Sequence, residues 1–292
     1  MILVGQSLEL ARPKLRHAIV RHDAAPIVKR AQRQVAAGAH ALDLNGGMHA
    51  RVDDLVWVAH VLRSASIEIP LWLDAADPST LATALHESRD AGPLVANAWP
   101  VPDAAKDAPV LEAAARTGAG LVISPRHADG DAPASAEALA STCVAAIKRA
   151  RSAGVSGAVY LDALASPPSV DPARCRRSLD VLRLFARVEG AVPLVAVGNV
   201  SAGVTGELGA AIRRVYAAAA TGAGAGALIL PVEDAACVHT VRLASGDAFA
   251  RDIDETYLAA LPHATAHGEQ PAPPPSTASA LLREAWRMIF AD

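Results

Sequence analysis

Eight short, continuous apolar runs recur along the chain, and each is followed by a longer stretch with helical periodicity. The runs are Ile2–Gly5, Ala41–Asn45, Leu71–Asp74, Leu94–Asn97, Leu121–Ser124, Val159–Asp162, Leu194–Asn199 and Ala227–Pro231. Continuous rather than alternating hydrophobicity marks strands buried on both faces, as in a parallel sheet covered by helices. The amphipathic stretches between them are Ala25–Ala37, Asp53–Ser64, Pro78–Ser88, Ala104–Thr117, Ser135–Ala153, Pro172–Val188, Glu207–Thr221 and Asp234–Leu243. Four of these stop before a glycine, at Gly38, Gly118, Gly154 and Gly222, where a left-handed residue can end a helix. Eight strand–helix alternations predict an α/β fold of the (β/α)8 TIM-barrel class. An open doubly wound sheet would have fewer strands and usually a glycine-rich first turn, which Gly5-Gln6-Ser7 does not supply.

One barrel takes about 250 residues, so the 292 residues divide into a barrel over 1–260, a Pro-rich linker over 261–277 and an amphipathic C-terminal helix over 278–292. The linker holds Pro271, Pro273, Pro274 and Pro275, and His263–Thr277 is expected to be neither helix nor sheet interior. Leu281, Leu282, Trp286, Ile289 and Phe290 form the apolar side of the last helix. That side either packs back on the barrel or docks on another subunit or a partner protein. With 52% hydrophobic and 20% charged residues, the chain is globular. A net charge of −3 gives no basic footprint for nucleic acid. No apolar run reaches ~18 residues and no charged leader precedes one, so a cytoplasmic protein without membrane spans is expected. Cys143, Cys175 and Cys237 lie far apart and read as reduced thiols rather than a disulfide or zinc framework.

In a barrel of this class the strand C-termini open into the active-site mouth. Four runs end there in a carboxylate or carboxamide: Asp74, Asn97, Asp162 and Asn199. Asn45, ahead of Gly46-Gly47, is a fifth candidate, and Asp43 either enters the mouth or caps locally. Asp77 and Asp171 directly precede Pro78 and Pro172 and read as the N-caps of their helices. That leaves Asp74 and Asp162 without a capping job. Carboxylates and carboxamides recognise planar donor–acceptor edges. Two Asp and two Asn converging on one point suit a flat, nitrogen-rich heterocycle such as a pterin, and suit a phosphate poorly.

Other chemistries lack their motifs. There is no G-x-S-x-G elbow and no P-loop. Gly222, Gly224 and Gly226 precede a strand rather than a helix and read as a flexible loop. His263 and His267 lie in the proline-rich tail, His49 and His127 read as solvated loop histidines, and no metal site is expected. The lysines are Lys14, Lys29, Lys106 and Lys148, so none lies at the end of strand six or seven to form a Schiff base.

With these residues in place the chain resembles the pterin-binding barrel family, most closely the methyltetrahydrofolate:corrinoid protein methyltransferases. The resemblance rests on Arg30-Ala31-Gln32-Arg33-Gln34 through Gly38-Ala39-His40-Ala41-Leu42-Asp43-Leu44-Asn45, then on Leu71-Trp72-Leu73-Asp74, Val95-Ala96-Asn97, Tyr160-Leu161-Asp162 and Gly198-Asn199-Val200-Ser201. It runs from the first strand to about residue 250. Departures lie at Gln6-Ser7-Leu8 in the first strand, at Ala75 after Asp74, at Ala163 after Asp162 and at Glu207, where relatives often carry a basic residue.

The resemblance implies a cytoplasmic homodimer that moves a methyl group between N5 of tetrahydrofolate and the cobalt of a cobalamin (corrinoid) carried by a partner protein. It implies a pterin-binding set of Asp74, Asn97 and Asp162, which match the family's ring contacts, together with Asn45, Gly198, Asn199 and Ser201. Asn199 would be the residue that approaches N5 and acts in catalysis. The direction of transfer stays open. Two rivals share the barrel. One is a non-catalytic pterin- or corrinoid-partner-binding subunit. The other is dihydropteroate synthase, whose pattern has a Ser-Arg-Lys run near strand seven where this chain has Asn199-Val200-Ser201.

Overall fold

The computed structural model describes residues 1–101, 104–126 and 135–291, with the side chains of 104–107 left aside. Its eight strands are β1 (Ile2–Glu9), β2 (Ala41–Asn45), β3 (Leu71–Asp74), β4 (Leu94–Pro100), β5 (Gly120–Ser124), β6 (Val159–Asp162), β7 (Val192–Ala196) and β8 (Ala227–Leu230). They close into a barrel in chain order, and the pairs resolved in register are parallel, as the alternation of runs and helices predicts. The helices are α1 (Pro13–Val20), α2 (Ala25–Ala36), α3 (Val52–Ser64), α4 (Pro78–Glu87), α5 (Ala104–Thr117), α6 (Ala136–Ser152), α7 (Pro172–Phe185), α8 (Gly206–Gly222), α9 (Ala235–Ala244), α10 (Ile253–Ala266) and α11 (Ala280–Phe290). By compactness the chain resolves into two units, one of residues 2–133 and 141–161, the other of Met1, 134–140 and 162–292.

In the first unit the strands bury both faces. Leu42, Leu44, Leu71, Leu73, Leu121 and Ile123 are fully buried, and the Trp72 and Tyr160 rings stack at a tilt with centroids 4.6 Å apart. Burial of a side chain of this size stabilises by roughly 1.5–3 kcal/mol, so these strand residues form the dominant core of the unit. β1 runs to Glu9, four residues past its apolar run. Its register against β2 shifts between Gly5 and Leu8. The buried Gln34 of α2 reaches into that irregularity and accepts the Ser7 N–H at 3.0 Å. A Cβ on residue 5 would lie 2.4 Å from the Gln34 carbonyl oxygen, so glycine there makes room for the amide.

In the second unit α8 is the central helix. Ala217–Ala220 are completely buried, and α8 packs against α7, α9, α10 and α11. α10 corrects the expected linker. His263–Ala266 is helical, and the helix passes through Pro262, so the proline-rich stretch starts only after it. Gly222 also departs from expectation: it is the last residue of α8, and the left-handed residue that follows is Gly224, at φ +95°. Gly38, Gly118 and Gly154 are left-handed as anticipated.

α11 packs back on α7 and α8, which settles the choice left open for its apolar side. Ser279 caps it, and Leu282, Ala285, Ile289 and Phe290 are buried. Arg176 of α7 donates to the Ala291 carbonyl at 3.1 Å and Gln270 to the Phe290 carbonyl at 2.8 Å. No helix of the described residues is long and apolar enough to cross a membrane.

Candidate functional site

In the first unit the polar strand ends form a row. Asn45, Asp74 and Asn97 are register partners across β2, β3 and β4. The Asn45 side-chain NH2 donates to Asp74 Oδ2 at 2.5 Å, while its Oδ1 accepts the Gly47 N–H at 2.9 Å. Both ends of that amide are therefore engaged, and Asn45 holds Asp74 rather than standing open itself. From the same row Asn97 Nδ2 donates to Oδ1 of Asp43, two residues before Asn45 on β2, at 3.0 Å, and both residues are buried. A carboxylate offers lone pairs only, so Asp43 turns the NH2 of Asn97 inward. The register of β4 against β5 shifts between Ala96 and Trp99, which places an irregularity at Asn97, where bulges commonly re-aim a side chain.

Asp43, left open by the sequence, is a perturbed carboxyl beneath this row. Burial pushes its pKa up to about 7. Hydrogen bonds from Asn97 and Asn45 oppose the shift, and the charge of Glu9 adds to it. Near neutrality the row thus carries one carboxyl that readily holds a proton.

In the second unit Asp162 ends β6. Its Oδ1 accepts the Leu164 N–H at 2.9 Å, and Leu164 is left-handed at φ +58°. Such a conformation is costly for a branched residue and is sustained by its surroundings. The caps at Asp77 and Asp171 form as expected, accepting from Thr80 and Arg174 at 2.8 and 2.9 Å. The inference drawn from them needs correction, because Asp162 does hold its own turn through one oxygen.

β7 runs into a 3-10 turn, Val197–Ser201, that carries Asn199. Val197 and Val200 are fully buried, which pins the turn on both sides of Asn199, whose own side chain is exposed. No hydrogen bond joins that side-chain amide to another described residue. Ser201 is engaged: its hydroxyl donates to the Gly198 carbonyl at 3.2 Å and accepts from Arg213 Nη1 of α8 at 3.0 Å. Arg213 Nη2 reaches Asp234, the N-cap of α9, at 3.3 Å. Sequence reasoning missed Arg213 and Asp234. Arg213 lies twelve residues beyond Ser201 on an Ala-rich helix, and nothing in that pattern signals the contact.

Burial pushes the Cys175 and Cys237 thiols up to about 12, and Cys143 is buried. Among the described residues no group of three His, Cys, Asp or Glu side chains is placed to hold a metal ion. His49 is exposed, and His127 lies outside the described residues.

A barrel whose strands end in amides and carboxylates is the frame on which comparison with known proteins bears. The model of the family described as pterin binding enzyme matches residues 13–232. The chain belongs to the pterin-binding enzymes. A stretch of 83 residues is 35% identical to the methylcorrinoid:tetrahydrofolate methyltransferase of Eubacterium limosum, covering 28% of this chain and 30% of that protein. The match thus spans less than a third of that relative's length. Among solved structures, a dihydropteroate synthase from Thermus thermophilus superposes with a TM-score of 0.59 at 21% identity, over 84% of this chain and 93% of that one. The Xanthomonas albilineans dihydropteroate synthase gives 0.62 at 18% identity, over 84% and 92%. At that identity the likeness is one of fold. A pterin-binding enzyme with this barrel is therefore established, and its particular reaction is a separate question.

Proposed function

We propose that this pterin-binding enzyme moves a methyl group between N5 of tetrahydrofolate and a corrinoid carried by a partner protein. In this reading Asp74, Asn97 and Asp162 hold the pterin ring and Asn199 faces N5. Asn45 supports Asp74, and Gly198 and Ser201 shape the Asn199 turn. The observation that carries the reading is the state of Asn199. It is an exposed carboxamide without a partner among the described residues, on a turn pinned by buried valines. Asn45 is consumed by its neighbours; Asn199 keeps an N–H to give to a ligand.

The chemistry asks for such a donor. N5 of a methylated tetrahydrofolate is a tertiary amine and a poor leaving group. As its bond to the methyl carbon breaks, N5 keeps the electron pair, becomes a better acceptor and takes up a proton from solvent to give tetrahydrofolate. A fixed amide N–H aimed at N5 therefore gains strength toward the transition state, and lowers the barrier without tightening substrate binding equally. The corrinoid supplies the cobalt that accepts or delivers the methyl. The similarity to the methylcorrinoid:tetrahydrofolate methyltransferase supports this reading over dihydropteroate synthesis. So does the lack of any lysine after Lys148, since the synthase pattern places one near β7.

Titration with 5-methyltetrahydrofolate, followed by addition of reduced cobalamin, tests the proposal. Saturable folate binding and growth of the methylcobalamin absorbance are expected. Binding with no methylcobalamin would instead favour a binding subunit, and no binding would remove the pterin assignment of these residues.

A further inference from the structure

We infer that Arg213 is the positioning residue for Asn199, acting through Ser201; the inference rests on the methyl-transfer reading. Three observations meet here. The first is a relay of hydrogen bonds with a defined direction. Arg213 Nη1 donates to Ser201 Oγ at 3.0 Å, and Ser201 donates onward to the Gly198 carbonyl at 3.2 Å. Gly198 immediately precedes Asn199, so the guanidinium is tied to the peptide that sets where the amide points.

The second is the anchoring of the guanidinium. Nη2 lies 3.3 Å from Asp234 Oδ2, while Asp234 Oδ1 accepts the Cys237 N–H at 3.1 Å and so caps α9. One planar cation thus joins the start of α9 to the turn after β7, a fork that a lysine ammonium reproduces on one side at a time. The third is a sign of constraint. Arg213 Nε is buried without a hydrogen-bond partner among the described residues. Buried polar donors are normally paired. Leaving Nε unpaired is the cost of aiming both terminal nitrogens outward, one at each partner. Charge-assisted bonds of this kind are the stronger ones, and they hold a turn whose reactive group has no bond of its own to the described residues.

Positioning of this kind predicts loss of rate without loss of binding. Arg213→Gln removes the charged fork. Ser201→Ala cuts only the link to the turn and leaves the Arg213–Asp234 pair, so it remains informative if the first variant folds poorly. Each is expected to lower the rate of methyl transfer about tenfold or more while changing the 5-methyltetrahydrofolate dissociation constant less than about threefold. The double variant should be no worse than the worse single one, since both cut the same relay. Hydrogen exchange gives a readout independent of turnover: amides of residues 198–202 should exchange about tenfold faster in both variants, with those of α8 unchanged. Unchanged exchange in Ser201→Ala, or equal losses in rate and affinity, would overturn the inference. If the wild type binds folate and transfers no methyl, the parent reading falls, and the exchange data still decide whether Arg213 fixes the turn.

Discussion

Replacing Asp43 with Asn removes a buried titrating group while keeping its shape. Asn97 Nδ2 donates to Oδ1 of residue 43, and an asparagine oxygen accepts that bond as well. What disappears is the proton equilibrium. Asp43 is displaced from 3.8 to about 7, chiefly by burial. In the unfolded chain the same carboxyl ionises near its ordinary value. Between those two pH values the folded state holds a proton that the unfolded state has released, so stability falls as pH rises through the interval. At about 1.4 kcal/mol per pH unit the full displacement corresponds to roughly 4 kcal/mol, present below pH ~4 and lost once pH exceeds ~7. Groups remote from residue 43 titrate alike in both proteins and cancel in the difference, while Glu9, whose charge acts on Asp43, contributes part of it. Urea unfolding followed by circular dichroism, from about pH 4.5 to 8, measures it. The stability of wild type relative to Asp43→Asn should decline up to about pH 7 and level off above it, leaving the variant relatively favoured at the alkaline end. Two parallel profiles would show that Asp43 ionises at its ordinary value, and the reading of the row as a proton-holding cluster would be wrong.

Two further outcomes follow. Asp162→Asn keeps an oxygen for the Leu164 N–H and removes the charge, so it should leave the fold intact. It should weaken 5-methyltetrahydrofolate binding by about 2–4 kcal/mol if the carboxylate grips the pterin, and calorimetric titration with unchanged affinity would take Asp162 out of the site. Ile289→Ala empties a fully buried position in α11 and should destabilise the protein by about 3 kcal/mol. A change below ~1 kcal/mol in denaturant unfolding would mean that α11 is a loosely held appendage.

The strands are legible because a run buried on both faces keeps its apolar residues contiguous, as Leu71-Trp72-Leu73 and Leu121-Val122-Ile123 do. β1 reads short because Gln6 and Ser7 interrupt the run, and the partner that compensates, Gln34, sits on α2. α1 and α10 leave little trace in the pattern. α1 is only eight residues long, too short for a helical period to repeat clearly, and Pro262 conceals the continuity of α10. Asp77 and Asp171 can be assigned because a cap is a contact over three residues. The Asn45–Asp74 pairing spans 29 residues, and whether Asn45 faces a ligand or a neighbour depends on β2–β3 register, which no local pattern encodes. The Arg213 relay is out of reach for the same reason: a long flexible side chain chooses among partners only once the helices are docked.

The meeting of α8 and α10 shapes how mutational data on this enzyme should be read. At residue 222 the neighbouring backbone comes so near that any Cβ would lie 2.3 Å from the Pro262 Cα. Every side chain larger than hydrogen forces the two helices apart there, and α8 is also the helix from which Arg213 extends. Intolerance at Gly222 would therefore reflect how one helix seats on another, and a drop in turnover caused there would be a geometric echo rather than a sign of chemistry at that position.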